Sequence, residues 1–382
     1  MSQFDRRSVL AGALMAGLGG ELLAQSATQG NAIPETAPAN AEPGVRHSIR
    51  FAVIGLDHAH IYSMTDAVIR GGGRLVSFFA ADPVQVAAFR ARYPAAILAR
   101  SEAEILDDRN IQLVAGAPIP DLRAPLGIRA MRAGKDFLGD KPAITSLAQL
   151  AQVRRAIRET GRKFAIMYSE RLESRASVQA GILVDQGAIG RVVQTINIAP
   201  HRVSPASRPA WFWDKARYGG ILTDIGSHQA DQFLYYTKSN RAHVVASQTG
   251  NVAHTDRPAF EDFGDMMVSG NGGSGYIRVD WFTPDGLPTW GDGRLFLLGT
   301  EGYIELRKYV DVAGRPGGNH LLIADRHSAR YMDCSQVHLP FGPQFVTDIV
   351  ERSSIAQDQD QALLAAELVL KAQRDATRPV AA

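Results

Sequence analysis

Residues 49–60 read Ile-Arg-Phe-Ala-Val-Ile-Gly-Leu-Asp-His-Ala-His. Ile49 to Ile54 is a short, mostly apolar run that ends at Gly55, the pattern of a strand buried on both faces. Beyond it Ile61, Met64, Thr65, Val68 and Ile69 recur at helical spacing, and Gly71-Gly72-Gly73 stops that helix. The same alternation continues. Leu75 to Ala81 reads as a strand, and Val86, Phe89 and Tyr93 mark a helix. Ile111 to Ala117 is a strand closed by Pro118 and Pro120, followed by a helix from about Asp121 to Ala133 and a short strand at Phe137-Leu138. Ser146-Leu147-Ala148-Gln149 forms a capping box ahead of Leu150, Val153 and Ile157, and Lys163 to Tyr168 is a further strand. Strand and helix alternating with short connections predict an α/β fold with a doubly wound parallel sheet.

After Tyr168 the pattern changes. A helix over Ser177 to Gln186 leads to a strand at Val192 to Ile198, then to Gly219-Gly220 and a helix running to Tyr236. Strands follow at Val244 to Thr249, Asp265 to Val268, Gly275 to Trp281, Leu295 to Leu298 and Tyr303 to Leu306, separated by turns such as Asn271-Gly272-Gly273. This predicts an α+β part with an open, mostly antiparallel sheet, closed by helices over Phe341 to Ser353 and Gln359 to Ala376. The expected divisions are 1–26, 27–47, 48–168 and 169–382, the last two being a dinucleotide-type domain and a substrate and oligomerisation domain.

The chain has 382 residues, with 45% hydrophobic and 21% charged residues, an ordinary globular mix with room for two domains. A net charge of +2 carries no electrostatic footprint for nucleic acid. Cys334 is the lone cysteine, so no internal disulfide forms. Arg6-Arg7 precedes an apolar, Gly/Ala-rich run to Ala24 and a cleavage-like Ala24-Gln25-Ser26, which reads as a twin-arginine export signal and hence a periplasmic protein without stable membrane insertion after cleavage. The run is too short for a spanning helix. Residues 27 to 47, rich in Ala, Pro, Asn and Glu, read as a disordered linker.

Three stretches carry chemistry. The turn Gly55-Leu56-Asp57-His58-Ala59-His60 occupies the place where a dinucleotide fold holds pyrophosphate on a helix N-terminus. Of the pattern G-x-G-x-x-G it keeps only the first glycine, with Asp57 and His60 at the other two positions. Asp82, at the end of the second strand, is either an acceptor for a ribose diol or a helix cap, and Pro83 after it brings no base to greet a 2′-phosphate, which favours NAD over NADP. Gly139-Asp140-Lys141-Pro142 follows a strand; alone it reads as a surface turn with a solvated lysine, and in company as a lysine projecting over the cofactor edge. In Gly219 to Asp231, Asp224 and His228 stand four apart, on one helix face, where a carboxylate fixes an imidazole tautomer and keeps the ring basic. Taken alone, the pair reads as a helix-terminal charge and a core histidine.

Together these stretches resemble the Gfo/Idh/MocA family of NAD(P)-dependent oxidoreductases, over about Ile49 to the C-terminus. The resemblance rests on Gly55, Ala81-Asp82-Pro83 with Phe89 and Tyr93, Asp140-Lys141-Pro142, Gly219-Gly220 with Asp224 and His228, Trp211 to Asp214, and Gly299-Thr300-Glu301-Gly302. Three features depart from the family pattern: Asp140 where Glu is usual, the glycine-poor loop, and Arg123 where His is common.

The resemblance implies a catalytic set of Lys141, Asp224 and His228, in which His228 takes the hydroxyl proton, Asp224 orients it and Lys141 binds the reacting oxygen. It implies a cofactor cleft of Gly55, Leu56, Asp57, His58, His60, Asp82, Pro118, Asp140 and Lys141, with Tyr168, Arg171, Trp213 and Arg217 toward a carbohydrate substrate. Asp57, His58 and His60 also suit a divalent metal; the phosphate reading is preferred because the family needs a phosphate there and no metal. The expected activity is NAD-dependent oxidation of a sugar, polyol or glycoside with a tightly held cofactor. A redox-neutral glycosidase or lyase and a non-catalytic sugar binder are the alternatives. The open sheet suggests a homo-oligomer.

Overall fold

The computed structural model describes residues 45–378. The expected signal, nearly all of the linker and the last four residues lie outside the described residues. The first part runs β1 (Ile49–Ile54), α1 (His60–Arg70), β2 (Gly73–Phe79), α2 (Pro83–Arg92), β3 (Ile97–Leu98), α3 (Glu102–Asp107), β4 (Leu113–Gly116), α4 (Pro120–Arg132), β5 (Asp136–Asp140), α5 (Leu147–Thr160) and β6 (Phe164–Met167). Its six strands are ordered β3-β2-β1-β4-β5-β6, all parallel, so the chain starts at the centre and winds out both ways. Helices cover both faces, which is why Phe51 to Ile54 and Leu113 to Gly116 are buried without alternation.

The second part runs α6 (Ser169–Leu172), α7 (Arg175–Asp185), β7 (Val192–Pro200), α8 (Lys215–Tyr218), α9 (Ile221–Asp224), α10 (Gly226–Thr237), β8 (Ala242–Gly250), β9 (Phe263–Gly270), β10 (Ser274–Asp280), β11 (Arg294–Gly299), β12 (Tyr303–Arg307), β13 (His320–Ala324), β14 (Ala329–Asp333), α11 (Phe341–Glu351) and α12 (Gln359–Asp375). Its sheet is ordered β14-β13-β12-β11-β7-β10-β9-β8, antiparallel except for the parallel β7–β10 pair. Alternate residues of this sheet, among them Asn197, Ile277 and Leu295, are buried, and α10 packs against β7 and β10.

Six of these elements were not expected from the sequence: β3, α3, α6, α8, β13 and β14. The helix expected from the glycines to Tyr236 is two helices, broken at Ile225. The capping box is half formed. Ser146 Oγ accepts from Gln149 N at 3.2 Å, but Gln149 Oε1 turns to Thr145 N at 2.9 Å rather than back to Ser146. Helix α11 returns to pack on α1, and α12 packs against α10 and β8 as well as α5 and β6, so α12 ties the two sheets together. The α1–α11 approach is closed by glycine: a Cβ on Gly71 would lie 2.2 Å from Gly342 O.

Candidate active site

The ends of β1, β2, β4 and β5 meet at the loop after Gly55. Gly55 has φ +83°, and a Cβ there would lie 2.7 Å from Pro118 Cβ, so glycine is required by both the backbone and the space. Backbone bonds lace the loop to its neighbours: Gly55 N donates to Phe79 O at 3.0 Å and His58 N to Ala117 O at 3.1 Å. Leu56 is buried. Helix α1 then starts with Ala59 at its N-cap, no side-chain cap and no acid in its first turn. In its first turn Ile61 N and Tyr62 N already donate to His58 O and Ala59 O at 3.2 Å, so what the end of the helix offers an anion is mainly its dipole.

Asp82 sits at the end of β2 as the N-cap of α2, where its Oδ1 accepts from Val84 N at 2.7 Å and Gln85 N at 3.1 Å. Beside it lies an apolar groove of about 590 Å³ lined by Ala80, Ala81, Pro83, Val86 and Leu98. Arg90 lines the same groove, so a base does face it, contrary to the reading of Pro83 alone.

His58 and His60 do not offer free donors to the cleft through both ring nitrogens. Both turn Nδ1 to the buried Asp140, at 2.9 Å from Oδ2 and Oδ1 respectively. Arg123 is also buried and takes up the third side of that carboxylate, with Nη2 3.0 Å from Oδ2, while Nε donates to Pro118 O at 2.8 Å and Nη1 to Lys141 O at 2.5 Å. Burial alone would raise the Asp140 pKa; the guanidinium and the two imidazoles outweigh it and hold the carboxyl well below its usual range. Burial, and then His60, pushes His58 down to about 4, so that ring is neutral. Asp57 lies outside this group: the His and Asp ligand atoms that converge belong to His58, His60 and Asp140.

Lys141 is not a solvated lysine. It is 6% exposed, and its Nζ lies 3.2 Å from Asp224 Oδ1 and 3.4 Å from Asp224 O, joining the end of β5 to α9. Burial would raise the Asp224 pKa, but Lys141 and then His58 hold it below its usual value.

The expected Asp224–His228 pairing does not form. The break at Ile225 separates the two helices, and His228 N bonds to Ile225 O in the first turn of α10. Ile225 keeps helical dihedrals (φ −84°, ψ −48°), and the Asp224 carboxylate is engaged by Lys141 at 3.2 Å instead. His228 is buried, its Nδ1 has no hydrogen-bond partner among the described residues, and burial drives its pKa well below the usual value. Glu170 opposes that shift, while Lys141, His60 and Lys308 add to it.

Glu170 and Lys308 are the functional candidates that reading the sequence missed. Glu170, on α6 just beyond β6, accepts from Lys308 Nζ at 2.8 Å and Gln229 Nε2 at 3.0 Å, and Lys308 also donates to Gln232 Oε1 at 2.7 Å. Lys308, followed by His228 and His201, outweighs burial and holds Glu170 well below the carboxylate range. An acid directly after a strand end of the parallel sheet was the available signal for Glu170. Lys308, 138 residues away, had none.

The expected substrate contacts are largely committed elsewhere. Tyr168 OH donates to Ala362 O at 3.1 Å, and its ring meets His228 edge-on at 6.2 Å. Arg171 grips Asp231 at 2.6 and 2.9 Å and stacks 4.6 Å over Tyr235. Arg217 pairs with Asp121 at 2.9 Å. Trp213 packs on Phe260 and Phe212, with Arg257 over its ring; the tryptophan beside His58 is Trp211, at 6.4 Å.

Two family models match the chain: residues 49–168 match the oxidoreductase family with an NAD-binding Rossmann fold, and residues 178–305 the GFO/IDH/MocA C-terminal domain. A crystal structure from Erwinia carotovora atroseptica SCRI1043, provisionally described as an oxidoreductase, is 46% identical, with a TM-score of 0.84 over 87% of this chain and 100% of that one. Levoglucosan dehydrogenase in complex with NADH and levoglucosan is 18% identical, with a TM-score of 0.71 over 86% of this chain and 98% of that one, a likeness of fold. Among curated proteins, D-xylose dehydrogenase of Paenarthrobacter nicotinovorans is 26% identical over 32% of this chain and 33% of its own length. The 1,5-anhydro-D-fructose reductase of Ensifer adhaerens is 24% identical over 52% and 59% respectively. The chain spans between a third and three fifths of the curated relatives it matches.

Proposed function

Since the chain belongs to the Gfo/Idh/MocA family of NAD(P)-dependent oxidoreductases, we propose that it moves a hydride between a nicotinamide cofactor and the hydroxyl-bearing carbon of a sugar, polyol or glycoside. The observation that carries this reading is the buried Lys141–Asp224 pair, with the neutral imidazole of His228 in the same cleft. The nicotinamide, when bound, supplies the hydride acceptor or donor. The residues present fit a dinucleotide: the uncapped α1 N-terminus suits its pyrophosphate, and the groove beside Asp82 suits its adenosine end.

In this reading Lys141 holds the substrate oxygen by a charge-assisted hydrogen bond, and Asp224 keeps the ammonium in place. His228, neutral at rest, accepts the hydroxyl proton. Glu170, whose charge acts to raise the His228 pKa, stabilises the imidazolium as it forms, the role first assigned to Asp224. Gly55, Leu56, Pro118 and the Arg123–Asp140 pair shape the floor of the cleft. The carbohydrate class is supported by the sugar-acting names among the relatives.

We read NAD as the preferred dinucleotide, with Asp82 accepting from the ribose. Asp82→Ala removes both the helix cap and the acceptor, whereas Asp82→Asn keeps an equally good cap and removes the charge. Titration of both dinucleotides against the two variants tests this: Asp82→Asn should retain stability while narrowing the NAD preference, and tighter binding of NADP by the unaltered protein would refute it. The Arg6-Arg7 segment further supports export, with the cofactor taken up before transport and recycled in place. Periplasmic fractionation, and release of NAD(H) on denaturation, test that step.

A further inference from the structure

The dinucleotide reading leaves His58 and His60 unexplained. A phosphate loop is served best by glycines, and here two imidazoles stand over a buried carboxylate instead. One ligand atom each from His58, His60 and Asp140 lies within 4.8 Å of the others. Two of the closest contacts are Nδ1 to carboxylate oxygen, both 2.9 Å. His58 Nδ1, Asp140 Oδ2 and Arg123 Nη2 are sealed from solvent and meet as close ion-pair contacts rather than as well-aligned hydrogen bonds. Asp140 is fully buried and both its oxygens face the cluster: His58 Nδ1 and Arg123 Nη2 lie 2.9 and 3.0 Å from Oδ2, and His60 Nδ1 2.9 Å from Oδ1.

Two imidazole nitrogens and one carboxylate are a donor set for a divalent transition cation of the zinc class, and a poor one for magnesium or calcium, which prefer all-oxygen shells. The outer shell is already built. Arg123, anchored on Pro118 O and Lys141 O, fixes the orientation of the Asp140 carboxylate from Oδ2, which it shares with His58, while Oδ1 faces His60. The same guanidinium repels a second cation, which argues for an exchangeable ion rather than a permanent structural one. The His58 and His60 side chains are 21% and 25% exposed, so the remaining coordination positions open to the cleft.

We propose that His58, His60 and Asp140 form an exchangeable site for a divalent transition cation, with an open position toward the cleft for an oxygen ligand. The site does not depend on the oxidoreductase reading, because its occupancy is measured without dinucleotide or substrate.

The test uses the full, untagged chain, stripped with chelator and equilibrated with Zn²⁺ or Co²⁺ in the absence of NAD. The expected results are about one equivalent of Zn²⁺ per chain, visible Co²⁺ ligand-field bands typical of nitrogen ligation, and affinity at least about tenfold weaker in His58→Gln and in His60→Gln, with unchanged circular dichroism. Mg²⁺ should not compete. Zn²⁺ binding that survives in the His58→Gln/His60→Gln variant, or equal competition by Mg²⁺, would overturn the site. Should the double variant fail to fold, the wild-type Co²⁺ spectrum decides alone: no ligand-field bands at saturating Co²⁺ also overturns it.

Discussion

Lys141 Nζ lies 3.2 Å from Asp224 Oδ1, and this contact, not an Asp224–His228 pair, joins the parallel sheet to the second part of the chain at the cleft. Lys141→Met is expected to lower turnover by roughly two orders of magnitude or more, the scale of a positioned proton-handling group. Asp224→Asn should resemble it, and the two should be non-additive, the double variant being little worse than Lys141→Met. If Asp224→Asn instead couples only to His228→Ala, the pairing described here is wrong.

Glu170 should tune His228. Glu170→Gln is expected to reduce turnover by about tenfold or more and to move the acidic limb of the pH–rate profile to lower pH, because the imidazolium loses its anionic neighbour. A purely structural role would lower the active fraction and leave the limb where it was.

The Arg123–Asp140 pair is buried on both sides. Arg123→Met strands a carboxylate and should cost about 3–5 kcal/mol in chemical denaturation. Arg123→Met/Asp140→Leu should recover part of that loss. A single variant as stable as the wild type would contradict the pair's burial.

Acid should destabilise the fold through its depressed histidines. Burial holds His58 and His201 at about 4 and His228 well below its usual value, while in the unfolded chain each titrates near 6.5. The unfolded chain therefore takes protons first. This stabilisation is complete above about pH 6.5 and is lost as pH falls toward 4, each group held at about 4 contributing at most roughly 3 kcal/mol. The depressed Asp140, Asp224 and Glu170 prolong the loss below that window. Melting temperature should fall between about pH 7 and pH 5, less steeply in His201→Gln; a flat profile would contradict the lowered pKa of these rings.

Much of this was legible in the sequence because it depends on local pattern. The apolar runs of β1 and β4, the glycine at 55, and the Asp-Lys-Pro turn all announce themselves within a few residues. What escaped depends on distance or on exceptions. β14 carries mostly exposed residues at the sheet edge, so it has no buried alternation to read. The break at Ile225 was signalled only by Gly226, one glycine inside an otherwise helical pattern. The roles of Arg123 and Lys308 come from partners brought in by the fold, Asp140 and Glu170, and no spacing rule reaches across those separations.

The central claim is hydride transfer at Lys141 and His228, and it is tested most directly by incubating the purified protein with NAD and NADP against a panel of aldoses, polyols and glycosides. Reduction of the nicotinamide is followed by absorbance, with Lys141→Met as the control. The account predicts formation of reduced nicotinamide with at least one hydroxyl substrate, together with a matching keto product by mass, both lost in Lys141→Met. Turnover that Lys141→Met leaves intact, or a protein that binds neither dinucleotide, would contradict it.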